Sequence, residues 1–333
     1  MTQRIPRRYR RVAERFVSGN HVQLLRNGDQ SFGAMLKAIA EAQQQVLLET
    51  YWFGSDGVGR RFAEALSGAK ARGVEVAVLY DSVGSWEADE QMFEQMSGEG
   101  VHVLEFNPLG PWKKRFRLAR LTLRDHAKIL VADNAIGFTG GVNLAEAWLS
   151  PSEGGSGWRD DMVRVEGPSV MGLTERFLST WTRQGGVPLR QPETRHDAPA
   201  GAQNVRVLSA GPYGRHRRQI IHAYLHNIYR AKQRVWISNS YFVPEPSVVR
   251  ALCRAGRRGV DVRILVPAYS DVEIARHASR AVWGKLLRSG VHIYEWLESI
   301  FHSKTAVIDG EWSTIGSFNL DYLSLSNNLE VNV

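Results

Sequence analysis

Two short stretches of the chain repeat the same arrangement of histidine, lysine and aspartate. In each, one residue separates the histidine from the lysine and four separate the lysine from the aspartate: His126, Lys128 and Asp133 in the first stretch, and His302, Lys304 and Asp309 in the second. At the same distance beyond each aspartate come a pair of small residues and then an asparagine: Gly140, Gly141 and Asn143, and Gly316, Ser317 and Asn319. Three residues at a fixed spacing recur easily by chance, but two copies with matching continuations indicate one shared site.

These side chains suit the cleavage of a phosphodiester, which needs a nucleophile, a proton donor for the leaving oxygen and positive charge near the other phosphate oxygens. Of two histidines, a neutral one attacks phosphorus and forms a covalent phosphohistidine, while a protonated one gives its proton to the leaving alcohol. The lysines provide charge, and the residues predicted to hold the phosphate are Asn143, Asn319, Ser317 and Gly141. We expect neither a metal ion nor a cofactor. The symmetry of the repeat leaves open which histidine attacks.

The spacing of each histidine and lysine predicts a β-strand that presents both side chains on one face. The apolar residues that follow, 129–132 and 305–308, are typical of a buried strand. Further repeats surround the motifs: AQQQVLLETYWF (42–53) recurs as AKQRVWISNSYF (231–242), and GVHVLEF (100–106) recurs as GVHIYEW (290–296). Because such strands alternate with helices, the pattern predicts two α/β halves with largely parallel strand pairing and one cleft where they meet.

At these motifs the chain resembles the phospholipase D superfamily, in which a duplicated motif of this kind builds one active site, and within it the bacterial cardiolipin synthases. Similar segments extend from QLLRNG near the start, through WRDDMVRVEGP, to GSFNLDYLSLSNNLEVNV at the end. The resemblance implies two α/β/α halves related by a pseudo-twofold axis, with mixed, largely parallel sheets and the active site at their interface.

The resemblance also implies roles for individual residues. An acid that follows each motif orients a histidine, and Asp160 and Glu330 match those positions; Asp161 is adjacent, but the order WRD followed by EGP favours Asp160. In characterised relatives the N-terminal histidine is usually the nucleophile, which assigns attack to His126 and proton donation to His302. The motif aspartates are usually structural, here Asp133 and Asp309.

Residues 184–203, QGGVPLRQPETRHDAPAGAQ, are rich in proline and glycine and show no apolar periodicity, which predicts a linker. We therefore expect a basic N-terminal arm at 1–20, a first half at 21–183 and a second half at 204–333. After Asp160 the first half continues through a strand-like and a helical stretch, whereas Glu330 is followed only by residues 331–333. Because related cardiolipin synthases continue beyond this point, we expect that C-terminal structure is missing.

The 333 residues include 42 lysines and arginines against 34 aspartates and glutamates, a formal net charge of +8. This excess favours an anionic partner, either a phospholipid surface or nucleic acid, without choosing between them. One cysteine excludes an internal disulfide and fits a reducing compartment. The first residues lack the apolar core of a signal peptide, and no stretch approaches the ~20 apolar residues that span a bilayer. We expect a cytoplasmic protein, peripheral on the inner face of the cell membrane, and leave its oligomeric state open.

The first half carries an insertion at 107–125 that interleaves basic and bulky apolar side chains, a mixture that suits the interface of an anionic bilayer. The alternative is a solvated loop whose apolar residues pack on the domain. Because the insertion leads into His126, we predict lipid contact at Trp112, Lys113, Lys114, Arg115, Phe116 and Arg117. Tyr51 and Tyr241 follow equivalent strands, and they either line the cleft or belong to the core.

These features favour a phosphatidyltransferase of the cardiolipin synthase type, which condenses two phosphatidylglycerol molecules into cardiolipin and glycerol. Water in place of the second lipid would give a phospholipase D activity instead. A nuclease of the same superfamily is an alternative, although the sequence shows no evident nucleic-acid module and we expect no specific nucleic-acid partner. A further alternative is a membrane-associated relative without turnover, and the presence of every motif residue argues against it.

Overall fold

The computed structural model describes residues 16–113, 115–190, 199–212 and 218–333. Most of the predicted N-terminal arm, the middle of the predicted linker and Lys114 lie outside these residues. Two mixed β-sheets with flanking helices make up most of the described chain, which confirms the predicted α/β class with two similar halves.

The elements of the first half follow one another as strand, helix and strand up to the first motif, and then mainly as strands. In chain order they are β1 (Val17–Arg26), α1 (Asn27–Glu41), β2 (Gln45–Thr50), α2 (Gly57–Ala71), β3 (Glu75–Asp81), α3 (Glu90–Gly98), β4 (His102–Phe106), β5 (Arg124–Asp125), β6 (Ile129–Ala132), β7 (Ile136–Gly140), β8 (Asp161–Glu166) and α4 (Val170–Arg183).

The second half repeats this order and contributes the remaining elements. They are β9 (Gln203–Val205), β10 (Leu208–Ala210), α5 (Gln219–Arg230), β11 (Arg234–Asn239), α6 (Pro246–Arg257), β12 (Asp261–Pro267), α7 (Glu273–Leu287), β13 (Val291–Trp296), β14 (Lys304–Ile308), β15 (Trp312–Ile315), α8 (Tyr322–Ser326) and β16 (Asn328–Asn332).

The two large sheets share one strand order. The first runs β4-β3-β2-β6-β7-β8-β1-β9 and the second β13-β12-β11-β14-β15. In each, the three strands that alternate with helices pair in parallel, and the strand after the motif enters antiparallel beside them. Within each large sheet, parallel pairing therefore holds only among those three strands, so the sheets are mixed, as predicted, but they are not largely parallel. The strands that follow are joined by short turns, which connect only antiparallel neighbours.

A small third sheet, ordered β10-β16-β5, joins the two halves. Strand β5 of the first half runs parallel to β16 of the second half, with Asp125 opposite Leu329. His126 directly follows Asp125, and Glu330 directly follows Leu329. The register of this sheet thus places the first motif beside the acid of the other half.

The two large sheets differ in how their faces are covered. Helices α1 to α3 bury one face of the first sheet and α4 buries the other. Helices α5 and α6 bury one face of the second sheet, and on its opposite face Trp236, Tyr294 and Val307 are 39%, 48% and 40% exposed. The prediction that residues 305–308 form a buried strand is therefore wrong for one face of that strand. Within the described residues, no helix covers this face as α4 covers the corresponding face of the first sheet.

Helix α4 also carries Arg176, a buried cation close to the first motif. Nη2 of Arg176 lies 3.4 Å from a carboxylate oxygen of Glu49 and 3.8 Å from one of Asp125. Both carboxyl groups are fully buried. Burial raises the pKa of Glu49 and of Asp125, and the Arg176 guanidinium opposes that rise at both. Arg176 is thus a buried cation beside two buried acids, one of which, Asp125, directly precedes His126 in the chain.

Replacing Arg176 by methionine should destabilise the protein by about 3–5 kcal/mol, because two buried carboxyl groups would lose their cation. Carboxyl groups whose pKa is raised on folding oppose folding once the pH exceeds their ordinary pKa, so the loss should shrink as the pH falls toward that range. Chemical denaturation at several pH values measures both effects. The matched control is Lys37→Met, whose exposed partner Glu41 lies 3.8 Å away and whose loss should cost under about 1 kcal/mol. Equal costs for the two variants would contradict this account.

Candidate active site

Each motif is fastened by its histidine to the other half of the molecule. His126 lies between β5 and β6, and its backbone N–H donates to the carbonyl of Leu329 at 2.9 Å. His302 lies just before β14, and its backbone N–H donates to the carbonyl of Arg159 at 2.8 Å. The two histidines are 7% and 5% exposed. The fold therefore brings both motifs to one buried interface, each beside the segment that carries the acid of the other half.

The motif lysines fold back over their own motifs. Nζ of Lys128 donates to the backbone carbonyl of His126 at 2.8 Å, and Nζ of Lys304 donates to that of His302. Burial lowers the pKa of Lys128 to about 7 and that of Lys304 to about 8, although the nearby carboxylates of Glu330 and Asp160 oppose the change. Two buried ammonium groups with depressed pKa values favour a bound anion, because the anion would offset their lost hydration.

The acids predicted to orient the histidines do so across the interface. Nδ1 of His126 lies 3.1 Å from Oε2 of Glu330, and Nδ1 of His302 lies 2.7 Å from Oδ2 of Asp160. Each carboxylate fixes the Nδ1 proton of an imidazole that belongs to the other half, which leaves Nε2 as the reactive nitrogen. Neither half alone contains an oriented histidine.

The protonation of the histidines follows from their surroundings. Burial lowers the pKa of His126 to about 4, with Glu330 opposing and Lys128 adding to the shift. Burial also lowers the pKa of His302, with Lys304 adding and Asp160 opposing. A pKa of about 4 keeps His126 neutral at pH 7, the state that a nucleophile requires.

The two acids remain ionised in the same site. Burial alone would raise the pKa of Asp160, but Lys304 and His302 outweigh it and the pKa is lowered. The same holds for Glu330, where His126 is the main opposing group and the pKa is again lowered. Two carboxylates and two lysines therefore surround a pair of imidazoles, an arrangement suited to proton transfer near an anion.

The predicted phosphate-binding asparagines occupy equivalent places. Oδ1 of Asn143 accepts from the backbone N–H of Trp52 at 3.2 Å, and Oδ1 of Asn319 accepts from the hydroxyl of Ser240 at 2.9 Å. Because the protein holds the oxygen of each amide, the amide nitrogen is the end available to donate to a phosphate oxygen. Both residues are buried. This geometry suits the role that the sequence predicted.

Ser317 and Gly141 both lie against the carboxylates that orient the histidines. The hydroxyl of Ser317 donates to Oε2 of Glu330, the oxygen that faces His126. A Cβ atom on Gly141 would lie 2.2 Å from Oδ1 of Asp160. The structure thus shows both residues against the acids, and their predicted contact with a phosphate stays a prediction.

Replacing Gly141 by alanine should displace the Asp160 carboxylate and lower turnover by roughly 100-fold, since misplacement of a catalytic group by ~1 Å has an effect of that size. The control is Gly68→Ala, because a Cβ atom on Gly68, in the last turn of α2, would meet nothing within 4 Å. Turnover and thermal unfolding should be measured for both. If Gly141→Ala unfolded the protein without slowing a folded fraction, the proposed crowding of Asp160 would be wrong.

The motif aspartates lie away from the histidines, at the far ends of the strands. The carboxylate of Asp133 accepts from the backbone N–H groups of residues 43, 44 and 45, and that of Asp309 accepts from those of residues 232, 233 and 234. These bonds fix the loops that lead into β2 and β11. A structural role, as the resemblance implied, accounts for both residues.

The predicted lipid-contact loop divides into exposed and engaged residues. Trp112 is 83% exposed and Arg117 is exposed, whereas Phe116 is half-buried. Lys113 forms ion pairs with Glu90 at 2.9 Å and Glu105 at 3.0 Å. Arg115 is half-buried and donates to the carbonyl of Gln184 at 3.4 Å, and Lys114 lies outside the described residues. Among the described residues of 112–117, Trp112 and Arg117 are thus the side chains that face solvent.

Aromatic residues complete the site, and one of them, Trp148, was not predicted from the sequence. The indole N–H of Trp148 donates to Asp160 at 3.0 Å, and its ring lies 5.5 Å from that of His302. No local pattern distinguishes Trp148 from a core tryptophan. Tyr51, for which two interpretations were open, lies 5.0 Å from the His126 ring, and Tyr241 lies 6.1 Å from that of His302. Both tyrosines therefore line the cleft.

Comparison with known proteins identifies this arrangement. The family described as "Cardiolipin synthase, PLD-like domain" matches residues 35–178 and 224–333, one segment in each half. A cardiolipin synthase of Geobacillus thermodenitrificans is 33% identical over 326 residues, which cover 97% of this chain and 64% of that protein. Cardiolipin synthase B of Salmonella typhi is 36% identical over 325 residues, which cover 95% of this chain and 76% of that protein. The chain belongs to this PLD-like family.

The fold is shared more widely. The crystal structure of phosphatidylserine synthase from Haemophilus influenzae superposes with a TM-score of 0.71 at 13% identity and covers 95% of this chain and 83% of its own. At this identity the likeness concerns the fold alone. The chain spans 64% of the length of the Geobacillus relative. No helix within residues 16–113, 115–190, 199–212 and 218–333 is long and apolar enough to cross a membrane.

Proposed function

We propose that this protein transfers a phosphatidyl group between alcohols, as a cardiolipin synthase acting on two phosphatidylglycerol molecules. The observation that carries the proposal is the pair of imidazoles, each oriented by a carboxylate of the other half and flanked by a buried lysine. This set supplies a nucleophile, an acid and a base, and positive charge for one phosphodiester. The family to which the chain belongs supports phospholipids as the substrates.

In the first step, Nε2 of neutral His126 attacks phosphorus of the donor lipid. The bond from phosphorus to the headgroup oxygen breaks, and protonated His302 gives its proton to that oxygen, so glycerol leaves. Lys128 and Lys304 stabilise the charge on the non-bridging oxygens, and the amide nitrogens of Asn143 and Asn319 donate to them. The product is a phosphatidylated His126 and a neutral His302.

In the second step, the terminal hydroxyl of another phosphatidylglycerol attacks the phosphohistidine. His302 takes the proton of that hydroxyl, the bond from phosphorus to His126 breaks, and cardiolipin leaves. A pKa of about 4 leaves His126 unprotonated before attack, as a nucleophile requires. The pKa of His302 is lowered as well, so the assignment of the two roles rests on the resemblance to characterised relatives. The binding of an anionic phosphodiester raises the pKa of His302 toward the protonated form needed in the first step.

The product assay tests this proposal. Purified chain and its His126→Ala variant are incubated with phosphatidylglycerol vesicles, and lipids and glycerol are measured by mass spectrometry. Cardiolipin with free glycerol from the parent chain alone is the expected result. Phosphatidic acid without cardiolipin would mean a hydrolase, and no lipid product from a folded, vesicle-bound chain would overturn the proposal. Incubation with single-stranded DNA tests the nuclease alternative.

We also infer that the mouth of the site contacts the bilayer. Parallel β3 and β4 end at the edge of the sheet where antiparallel β6 begins, so the loops that follow them lie on the same edge as His126. Those loops expose Trp86 (74%), Trp112 (83%) and Leu118 (73%). Bulky apolar side chains beside a lipid-cleaving site suit insertion into the headgroup region of an anionic membrane.

Replacing Trp86 and Trp112 together by alanine should weaken binding to phosphatidylglycerol vesicles by at least about tenfold, because burial of each side chain is worth about 1.5–3 kcal/mol. Vesicle sedimentation measures the change. The control is Tyr294→Ala, an aromatic residue that is 48% exposed on the open face of the second sheet. Unchanged binding of the double variant would show that this surface does not contact the bilayer.

A further inference from the structure

The two halves carry the same motif but different side chains at the mouth of the cleft. The repeated segments place Tyr241 where the first half has Trp52, and Asp271 where it has Ser85. Ser85 is buried, and its hydroxyl accepts from the N–H of Phe53 at 2.9 Å and donates to the carbonyl of residue 51 at 3.2 Å. The serine is occupied by its own backbone. The first-half side is therefore aromatic and neutral at this position, whereas the second-half side presents a carboxylate.

Asp271 is held at the edge of the catalytic pair on the side of His302. It lies in the exposed loop between β12 and α7. The phenol of Tyr241 donates to both carboxylate oxygens of Asp271, at 2.7 and 2.6 Å, and the ring of the same tyrosine lies 6.1 Å from that of His302. The charge of this carboxylate opposes the lowering of the pKa of His302 and of Lys304, although burial and nearer groups have larger effects on both. It therefore lies within electrostatic reach of the histidine that handles the alcohol.

A negative charge in this place does not help to bind a phosphodiester, because like charges repel. Beyond Tyr241, the group that such a carboxylate suits is a hydrogen-bond donor of the substrate. In both steps of the proposed reaction the alcohol oxygen exchanges its proton with His302, so the leaving and entering alcohols lie on the side of the cleft where Asp271 stands. The glycerol headgroup carries a second hydroxyl next to the one that reacts, and a carboxylate that accepts from it would favour such alcohols over water or a simple alcohol.

We propose that Asp271, positioned by Tyr241, is a specificity-determining residue that accepts a hydrogen bond from the second hydroxyl of the headgroup alcohol. The proposal rests on the proposed phosphatidyl transfer and deepens it. Acceptor choice is thereby assigned to a side chain outside both motifs, at a position where the first half has Ser85, whose hydroxyl is bonded to its own backbone.

The test separates the first step from the choice of acceptor. Phosphatidyl-p-nitrophenol in vesicles is the donor, so release of p-nitrophenolate reports formation of the phosphohistidine without any glycerol. Glycerol, ethanolamine and 1-propanol are then supplied as competing acceptors, and the phosphatidyl products are measured by mass spectrometry. The variants are Asp271→Asn and Tyr241→Phe. The matched control is Asp261→Asn, a partly exposed carboxylate that likewise accepts from an aromatic donor, Nε1 of Trp236 at 3.0 Å, and that also pairs with Arg263 at 2.9 Å.

Asp271→Asn should leave p-nitrophenolate release within about threefold and lower the preference for glycerol over 1-propanol by at least about tenfold, the size expected for one hydrogen bond to a charged group. Tyr241→Phe should shift the preference in the same direction by less, and Asp261→Asn should not shift it. An unchanged preference in an active Asp271→Asn variant would overturn the inference. So would a loss confined to ethanolamine, which would mean that the carboxylate recognises an ammonium group. If the parent chain releases no p-nitrophenolate at all, the proposed function itself fails and this inference fails with it.

Discussion

Alanine at His126 should abolish formation of the covalent intermediate with every donor, whereas alanine at His302 should abolish it only with donors that need a proton. Loss of the nucleophile should lower turnover by at least about 10⁴-fold. Loss of the acid should lower turnover of phosphatidylglycerol by about 10²–10⁴-fold. With phosphatidyl-p-nitrophenol the leaving phenolate needs no proton, so in the first turnover His302→Ala should still release p-nitrophenolate at a rate within about tenfold of the parent chain.

A rapid-quench experiment measures this difference in one turnover. The burst of p-nitrophenolate reports the first step, and mass spectrometry of the digested protein shows which histidine carries the phosphatidyl group. In the His302→Ala variant the group should remain on His126, because the base that activates the second alcohol is absent. A burst from His126→Ala, with the added mass on His302, would reverse the two roles.

Part of the fold and of this site could be predicted from the sequence alone. The two motifs, their common continuation and the repeated segments predicted the two α/β halves and a strand in each motif, which the structure has as β6 and β14. The spacing also predicted that each histidine and lysine share one face of a strand, but His126, Lys128 and His302 precede their strands and only Lys304 begins one. The same local logic misjudged residues 305–308, since burial of the second face of a strand depends on whether a helix such as α4 covers it.

Contacts between distant segments could not be predicted in this way. Ser317 and Gly141 are small residues next to a motif, a pattern equally typical of a phosphate loop, and only the folded structure shows that they fit around Glu330 and Asp160. Trp148 carries no signal that separates it from a core residue until its N–H is found on Asp160. The pairing of His126 with Glu330 depends on the register of β5 against β16, and that of His302 with Asp160 depends on the bridge between Arg159 and Phe301. No pattern in these segments specifies either register.

The crossed pairing predicts that each acid shares the kinetic behaviour of the histidine in the other half. Asp160→Asn should act like His302→Ala, with slow turnover of phosphatidylglycerol but a near-normal burst from phosphatidyl-p-nitrophenol. Glu330→Gln should act like His126→Ala and lose the burst as well. The expected loss in each affected step is about 10²–10⁴-fold, because an amide in place of the carboxylate favours the wrong tautomer of the imidazole.

If each acid instead served the histidine of its own half, the two results would be exchanged, so the burst experiment distinguishes the two arrangements directly. The control is Glu166→Gln on β8, whose carboxylate is partly exposed and pairs with Arg164 at 3.2 Å; it should leave both donors unaffected. Double variants add a second criterion. His302→Ala and Asp160→Asn act on one imidazole, so their combination should be little worse than either alone, whereas Asp160→Asn and Glu330→Gln impair different imidazoles and their effects should multiply. A site assembled in this crossed way needs both halves for either histidine to work, which gives a physical reason for one chain to contain both copies of the motif.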